Sequence, residues 1–164
     1  MEKVIYLAGG CFWGVEGYFK RLKGVIDTTV GYANGNIKNP TYTQVKTHIA
    51  THAETVKITY DDTIISLTKL LEHFLRIINP YELNHQGEDF GIQYRTGIYY
   101  LSLDELKIIK DYIKEKDIDN NFVVEILPLD NFYDAEDYHQ DYLDVNPNGY
   151  CHVNFNLIRK DEAK

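Results

Sequence analysis

Cysteine is scarce in this chain: there are two, Cys11 and Cys151, in 164 residues. They form no C-x-x-C, and so few cannot staple a domain of this size. A lone structural disulfide, free thiols and a redox pair are the readings left open. Basic charge is also short. Lys and Arg number 17 against 25 Asp and Glu, a net charge of -8. That balance argues against nucleic acid and anionic membranes as partners. No hydrophobic run is long enough to span a bilayer. The opening Met1-Glu2-Lys3 and the short apolar stretch after it are too brief for a secretory signal, so a cytoplasmic location is expected. There is no Walker A or G-x-G-x-x-G sequence, and no H-E-x-x-H or paired C-x-x-C. Neither a cofactor nor a metal is therefore expected.

What is present is ordinary for one domain with its own core. Hydrophobic residues make up 44% and the mean hydropathy is -0.38. Val4–Ala8 reads as a buried strand because it is nearly all apolar and bounded by Gly9-Gly10. Phe12, Val15, Phe19 and Leu22 recur at helical spacing, with Gly24 as a stop. Val25–Tyr32 is a second strand, followed by an Asn- and Gly-rich loop to Asn39-Pro40. Ala53–Tyr60 alternates cleanly and reads as a third. Ser66 caps a helix whose stripe is Leu67, Leu70, Leu71, Phe74, Leu75 and Ile78. A polar loop fills Tyr81–Gln93, and Arg95–Leu101 is a strand. Ser102-Leu103-Asp104-Glu105 opens a helix reaching about Lys116. Phe122–Leu127 reads as a strand and Ala135–Leu143 as a short helix. The tail from Val145 is rich in turn residues. Helices interleaved with strands over one core, with no repeat or linker, predict an α+β fold: a two-layer α/β sandwich with a mixed sheet, in one domain spanning residues 1–164.

The chemistry concentrates on a few residues. Cys11 lies where the first strand turns into a helix, in Gly9-Gly10-Cys11-Phe12-Trp13-Gly14. Unpaired backbone N–H groups and the positive end of the helix dipole favour a thiolate there. Phe12 and Trp13 set aromatic surface beside it. Glu54 shares the phase of Val56, Ile58 and Tyr60, which places a carboxyl on the buried strand face. Desolvation there raises its pKa and makes it a proton donor; at the strand end it could equally reach water. Tyr32 and Tyr94 sit at strand ends, where a phenol can bond a substrate oxygen, although most of 14 tyrosines are structural. Asp89 lies beside Gly91 in the polar loop, a common place for a solvated side chain. Cys151 follows Asn146-Pro147-Asn148-Gly149, a segment of turn composition expected to be mobile. It is either a resolving thiol or a small buried hydrophobe.

Gly10-Cys11-Phe12-Trp13-Gly14 resembles the signature of the A-type peptide methionine sulfoxide reductases. Gly31-Tyr32-Ala33 with Asn39-Pro40-Thr41-Tyr42, then His52-Ala53-Glu54, continue the likeness. Asp89 with Gly91 and Gln93-Tyr94-Arg95 follow, and Ala135-Glu136, His139-Gln140, Tyr142-Leu143, Asn146-Pro147 and Gly149-Tyr150-Cys151 close it. The resemblance implies a ferredoxin-like core and an oxidoreductase acting on the S epimer of methionine sulfoxide, free or in proteins. It implies that Cys11 attacks the sulfoxide sulfur and that Glu54 protonates the oxygen, assisted by Tyr32 and Tyr94. Phe12 and Trp13 would hold the methyl group, and Asp89 would organise the polar side. Cys11 would become a sulfenic acid, Cys151 would close a Cys11–Cys151 disulfide, and thioredoxin would reduce it. Some relatives carry a further recycling cysteine near the C-terminus. Here the residues after Cys151 contain none, so resolution is expected to stop at a single disulfide.

Two other classes fit the bare residues. A two-cysteine thiol peroxidase uses the same thiol pair but needs no methyl pocket and places an Arg by its nucleophile. A binding domain with incidental cysteines would leave Cys11 slow to alkylate.

Overall fold

The first apolar run forms strand β1 (Glu2–Gly9), and the helical spacing after it forms helix α1 (Phe12–Phe19) in a computed structural model that describes all 164 residues. Next come β2 (Val25–Ala33), a short helix α2 (Tyr42–Lys46) and β3 (Ala53–Asp61). Helix α3 (Leu67–Ile77) precedes a two-residue ladder, β4 (His85–Gln86) with β5 (Asp89–Phe90). Then follow β6 (Thr96–Tyr100), α4 (Leu103–Lys116), β7 (Glu125–Pro128), β8 (Phe132–Asp134) and α5 (Tyr142–Val145). No helix is long and apolar enough to cross a membrane.

The six longer strands form one mixed sheet in the order β7-β6-β1-β3-β2-β8. Every neighbouring pair is antiparallel except β6 with β7. Alternation along the strands gives the sheet two faces. On one, Ile5, Leu7, Val30, Val56, Ile58 and Ile98 share a core with Val15 and Phe19 of α1, Leu70, Leu71 and Phe74 of α3, and Ile109 of α4. On the other, Tyr6, Ala8, Ala33, Ala53 and Tyr99 form a smaller cluster partly covered by Leu129 and Phe132. Each large apolar side chain fully buried in this way contributes roughly 1.5–3 kcal/mol. The caps also form: Ser66 Oγ accepts from the Lys69 N–H and Ser102 Oγ from the Glu105 N–H, worth about 1 kcal/mol each. His73, beside the α3 stripe, is buried and bonds the Tyr18 hydroxyl at 2.7 Å.

The short elements depart from expectation. α1 stops at Phe19 rather than Leu22. The strand expected over Phe122–Leu127 begins at Glu125, because pairing with β6 starts at Gly97↔Glu125. The polar loop contains the β4–β5 ladder, and neither α2 nor β8 was foreseen. The helix expected over Ala135–Leu143 is broken. A 3-10 turn covers Asp137–His139 and α5 starts only at Tyr142. Between them the Gln140 amide is drawn out to the Val30 N–H and carbonyl, and Asp141 takes φ 52° as its N–H reaches Glu16. Tertiary partners outweigh helix propensity there. The C-terminal region is turn-rich, as composition predicts, with one 3-10 turn at Phe155–Leu157.

Candidate active site

Gly10 creates the site. Its φ is 85°, and a Cβ there would lie 2.8 Å from Gln86 Cβ, so the tight turn from β1 into α1 requires glycine. The turn sets Cys11 immediately ahead of α1, with Cys11 only 7% exposed. Across the sheet, β3 brings in Glu54, 2% exposed and in phase with Val56 and Ile58, as its alternation predicts. The Phe12 N–H, at the first turn of α1, donates to Glu54 Oε1 at 3.2 Å. That bond fastens the acid to the residue after Cys11. Burial pushes the Glu54 carboxyl up to about 8; the Phe12 amide opposes the shift and the Asp89 charge adds to it. Glu54 is therefore a neutral acid at neutral pH.

The expected thiolate at Cys11 is not what the pocket favours. Burial raises the thiol well above its ordinary pKa, and the Glu54 charge reinforces this, with the Trp13 amide acting in the opposite direction. A helix terminus contributes only about 0.3–1 kcal/mol toward an anion, and desolvation in this pocket exceeds that. Burial therefore favours the Cys11 thiol over its thiolate.

An aromatic wall flanks the pair. Phe12 is buried against Tyr32 and His139, with ring centroids 5.8 and 5.2 Å away. Trp13 lies against Tyr142 at 3.7 Å and donates its indole N–H to His139 Nδ1 at 3.1 Å. His139 Nδ1 is then an acceptor, and burial lowers the ring pKa, so the neutral ring carries its proton on Nε2. The phenols do not divide as the sequence implies. Tyr32 stands opposite Glu54 across the β2–β3 ladder, but its hydroxyl donates to Glu136 at 2.8 Å. Glu136 also accepts the Tyr42 N–H at 2.9 Å, tying β2 to the start of α2. Tyr42 and Tyr94 are half-buried, and both phenols are raised by burial and by the nearby Glu54, Cys11 and Asp89 charges. Both phenols thus lie within electrostatic reach of Cys11 and Glu54. Asp89, on β5, joins the same cluster from the polar loop.

Cys151 arrives by a different route. Its sulfur lies against α1 at Gly14, where a Cβ would sit 3.2 Å from it and 3.0 Å from Val153. The thiol contacts the Val153 carbonyl at 3.2 Å, and both cysteines are free. His152 Nε2 donates to the Gly9 carbonyl at 2.9 Å, one residue before the Gly10 turn. One helical turn further along α1, the Phe155 ring occupies the space a Cβ on Gly17 would need, and the Arg21 guanidinium lies 4.2 Å over that ring. On the upstream side, Lys20 pairs with Asp141 and Asp144, and Glu16 Oε1 accepts the Asp141 N–H at 2.8 Å. The cysteine segment is thus pinned along α1 at both ends.

A family model for peptide methionine sulfoxide reductase matches residues 3–164. The chain belongs to the peptide methionine sulfoxide reductase family. It is therefore related to oxidoreductases throughout its described length. A peptide methionine sulfoxide reductase MsrA of Ureaplasma urealyticum serovar 10 is 52% identical over 162 residues, covering 98% of both chains. The crystal structure of Mxr1 from Saccharomyces cerevisiae in reduced form superposes with a TM-score of 0.88 at 39% identity, covering 93% of this chain and 91% of that one. Mxr1 from the same yeast in complex with Trx2 gives a TM-score of 0.61 at 31% identity, covering 86% and 84%.

Within this reductase fold, sequence reasoning found Cys11, Glu54, Phe12, Trp13, Tyr94 and Asp89 where the structure gathers them. It missed Tyr42, Glu136 and His139 as individuals, although each lies in a block that carried the family likeness. Nothing short of the fold pairs Tyr32 with a carboxylate 104 residues away. Arg95, the arginine of the third block, bonds Glu125 and the carbonyls of Thr51, Ile92 and Asn34. Those partners hold it away from the peroxidase role at Cys11.

Proposed function

We propose that the chain reduces the S epimer of methionine sulfoxide, free or in proteins, to methionine, using Cys11, Glu54 and Cys151 in turn and thioredoxin as reductant. The observation that carries this is a buried neutral carboxyl anchored at the first turn of the helix that follows a buried cysteine. A sulfoxide oxygen leaves only when protonated, so the site must offer an acid and a sulfur nucleophile together. Cys11 sulfur attacks the sulfoxide sulfur as Glu54 protonates the oxygen, and the proton given up by the Cys11 thiol returns to the Glu54 carboxylate. Tyr42 and Tyr94 are the phenols that hydrogen-bond that oxygen, and Tyr32 supports Glu136. The oxygen passes to Cys11 as sulfenic acid and methionine departs with the electron pair. Cys151 then attacks the sulfenic sulfur, water leaves, and the Cys11–Cys151 disulfide forms.

The methyl group fits the Phe12–Trp13 surface. With acid, nucleophile and methyl cup fixed around one tetrahedral sulfur, only one configuration lets the rest of the substrate point outward; the S choice follows the family. Asp89 organises the polar side. The 3–164 family match supports one catalytic domain. The β6-β1-β3-β2 order, antiparallel throughout with α1 and α3 as crossovers, supports a ferredoxin-like core. The Mxr1–Trx2 complex supports thioredoxin as reductant, and a cycle of free thiols suits the cytoplasm.

Turnover of resolved epimers, with dithiothreitol and then with thioredoxin, tests the reading. Activity on the R epimer alone, or on neither, overturns it. Cys151→Ser separates the two halves. One equivalent of methionine still forms and dithiothreitol cycling persists in part, but thioredoxin cycling largely fails. Normal thioredoxin cycling in that variant would make Cys151 a core residue. Tyr42→Phe should slow single-turnover reduction about tenfold or more, since one donor to the developing charge is lost. Tyr32→Phe should slow it less. The reverse order would return the role to Tyr32.

A further inference from the structure

The largest groove in the molecule, about 610 Å³, does not open on Cys11. It runs past the far end of α1 and along the C-terminal segment, with Phe155 and Ile158 as its apolar floor. Its walls carry Lys20, Arg21, Arg159, Lys160 and Lys164. Asp144 is the one carboxylate side chain lining it, and it is bound to Lys20. Neighbouring Glu162 is occupied by Arg76 and Lys69. Arg21, Arg159, Lys160 and Lys164 make no ion pair, and the last three side chains are exposed. In a chain of net charge -8, this is a local concentration of unpaired positive charge.

The groove adjoins Cys151. Its Phe155 floor sits on Gly17, one turn along α1 from the Gly14 surface that receives the Cys151 sulfur. Burial raises the Cys151 thiol, while the Val153 contact and the Arg21 charge act against that rise, so Arg21 of the groove wall is felt at the sulfur. Cys11 is 7% exposed and Cys151 is half-buried. Cys151 is the more accessible of the two sulfurs, so it is the one an external thiol meets first. Substrate, by contrast, must reach Glu54 and Phe12 at the opposite end of α1. The groove therefore lies on the path of the reductant and off the path of the sulfoxide.

We propose that this groove is the docking surface for an acidic segment of the protein dithiol that reduces the Cys11–Cys151 disulfide. The inference rests on the reaction cycle proposed above. Once docked, a thiolate of the partner attacks Cys151 Sγ, the Cys11–Cys151 bond breaks, and Cys11 leaves and takes up a proton. The partner's second thiol then attacks the mixed disulfide, frees Cys151 as a thiol, and leaves the partner oxidised. Two electrons and two protons pass from partner to enzyme. Exposed cations around such a surface act mainly on encounter with the acidic partner and are screened by salt.

The test uses the full chain with Arg159→Glu, Lys160→Glu and Lys164→Glu combined, and Lys160→Glu alone as a milder change. Thioredoxin and dithiothreitol are compared as reductants on the same sulfoxide. The expected result for the triple variant is a thioredoxin KM raised about tenfold, with kcat and dithiothreitol-driven turnover within about twofold of wild type. Raising salt from about 0.05 M to about 0.5 M should raise the thioredoxin KM of wild type and not that of the variant. An unchanged thioredoxin KM overturns the proposal. So does a parallel loss with dithiothreitol, which would make the groove a support of the fold. So does a KM effect confined to an acidic methionine sulfoxide peptide, which would assign the groove to substrate. Wild type inactive with dithiothreitol would overturn the underlying cycle as well, and is read before any variant is made.

Discussion

Cys11→Ser is expected to lower sulfoxide reduction by roughly 10⁴-fold or more, to the level of background. A hydroxyl is a far weaker nucleophile than sulfur, and it cannot become a sulfenic acid. The substitution removes little else, because the Cys11 side chain makes no capping bond to α1. The Phe12 N–H bond to Glu54 is a backbone bond and survives the change. The measurement is methionine release in a single turnover, with circular dichroism to confirm that α1 persists. Release at more than a hundredth of the wild-type rate would remove Cys11 from the mechanism.

Glu54→Gln should slow the same step about 10²–10⁴-fold, the usual range for a lost general acid. The amide keeps the shape and can still accept the Phe12 N–H, but it has no acidic proton to give. The pH profile supplies an independent check. Glu54 must be protonated to act, and its carboxyl titrates at about 8 in the fold. Wild-type rate should therefore fall as pH rises through about 8, and the Gln variant should lose that limb. Stability shifts in a defined sense too. A carboxyl pushed up from 4.5 to about 8 binds its proton more tightly folded than unfolded. Its stabilising effect is complete below about 4.5 and is lost as pH rises through about 8. Over that window urea unfolding should show wild type losing ground relative to Glu54→Gln. An unchanged rate constant with this stability difference intact would leave Glu54 a structural acid only.

The parts of this molecule that were legible in its sequence are those fixed by local pattern. The α3 stripe follows from a 3.6-residue period, and the inward Glu54 follows from a two-residue one. The strand-to-helix junction at Cys11 follows from an apolar run, two glycines and a change of period. What escaped depends on partners distant in sequence. Tyr32 looks available on paper, and only the fold shows that Glu136 takes its hydroxyl. The Ala135–Leu143 helix failed because Gln140 and Asp141 bond across to β2 and to Glu16. The burial that raises the Cys11 thiol is hidden from the sequence for a related reason. A helix terminus is visible in a sequence, whereas the burial that outweighs it emerges only in the folded chain, where Cys11 is 7% exposed. β4, β5 and β8, each two or three residues long, carry too little pattern to announce themselves.

The double pinning of the Cys151 segment along α1 has a kinetic meaning for damage as well as repair. On the proposed cycle, every turnover exposes Cys11 to a hazard, since a sulfenic acid that meets peroxide can advance to an irreversible sulfinic acid. The outcome is a race. Peroxide must diffuse in at whatever low concentration the surroundings hold. Cys151, tethered by Glu16, Lys20 and Trp13 on one side and by Gly17 and Arg21 on the other, competes at an effective concentration on the order of millimolar. Even a free ten-residue loop closes in about 10–100 ns. The lifetime of the vulnerable state is thus set inside the molecule and does not change when the enzyme is diluted. On that cycle, the two glycines that leave room on α1 for this segment shorten the time Cys11 spends open to further oxidation.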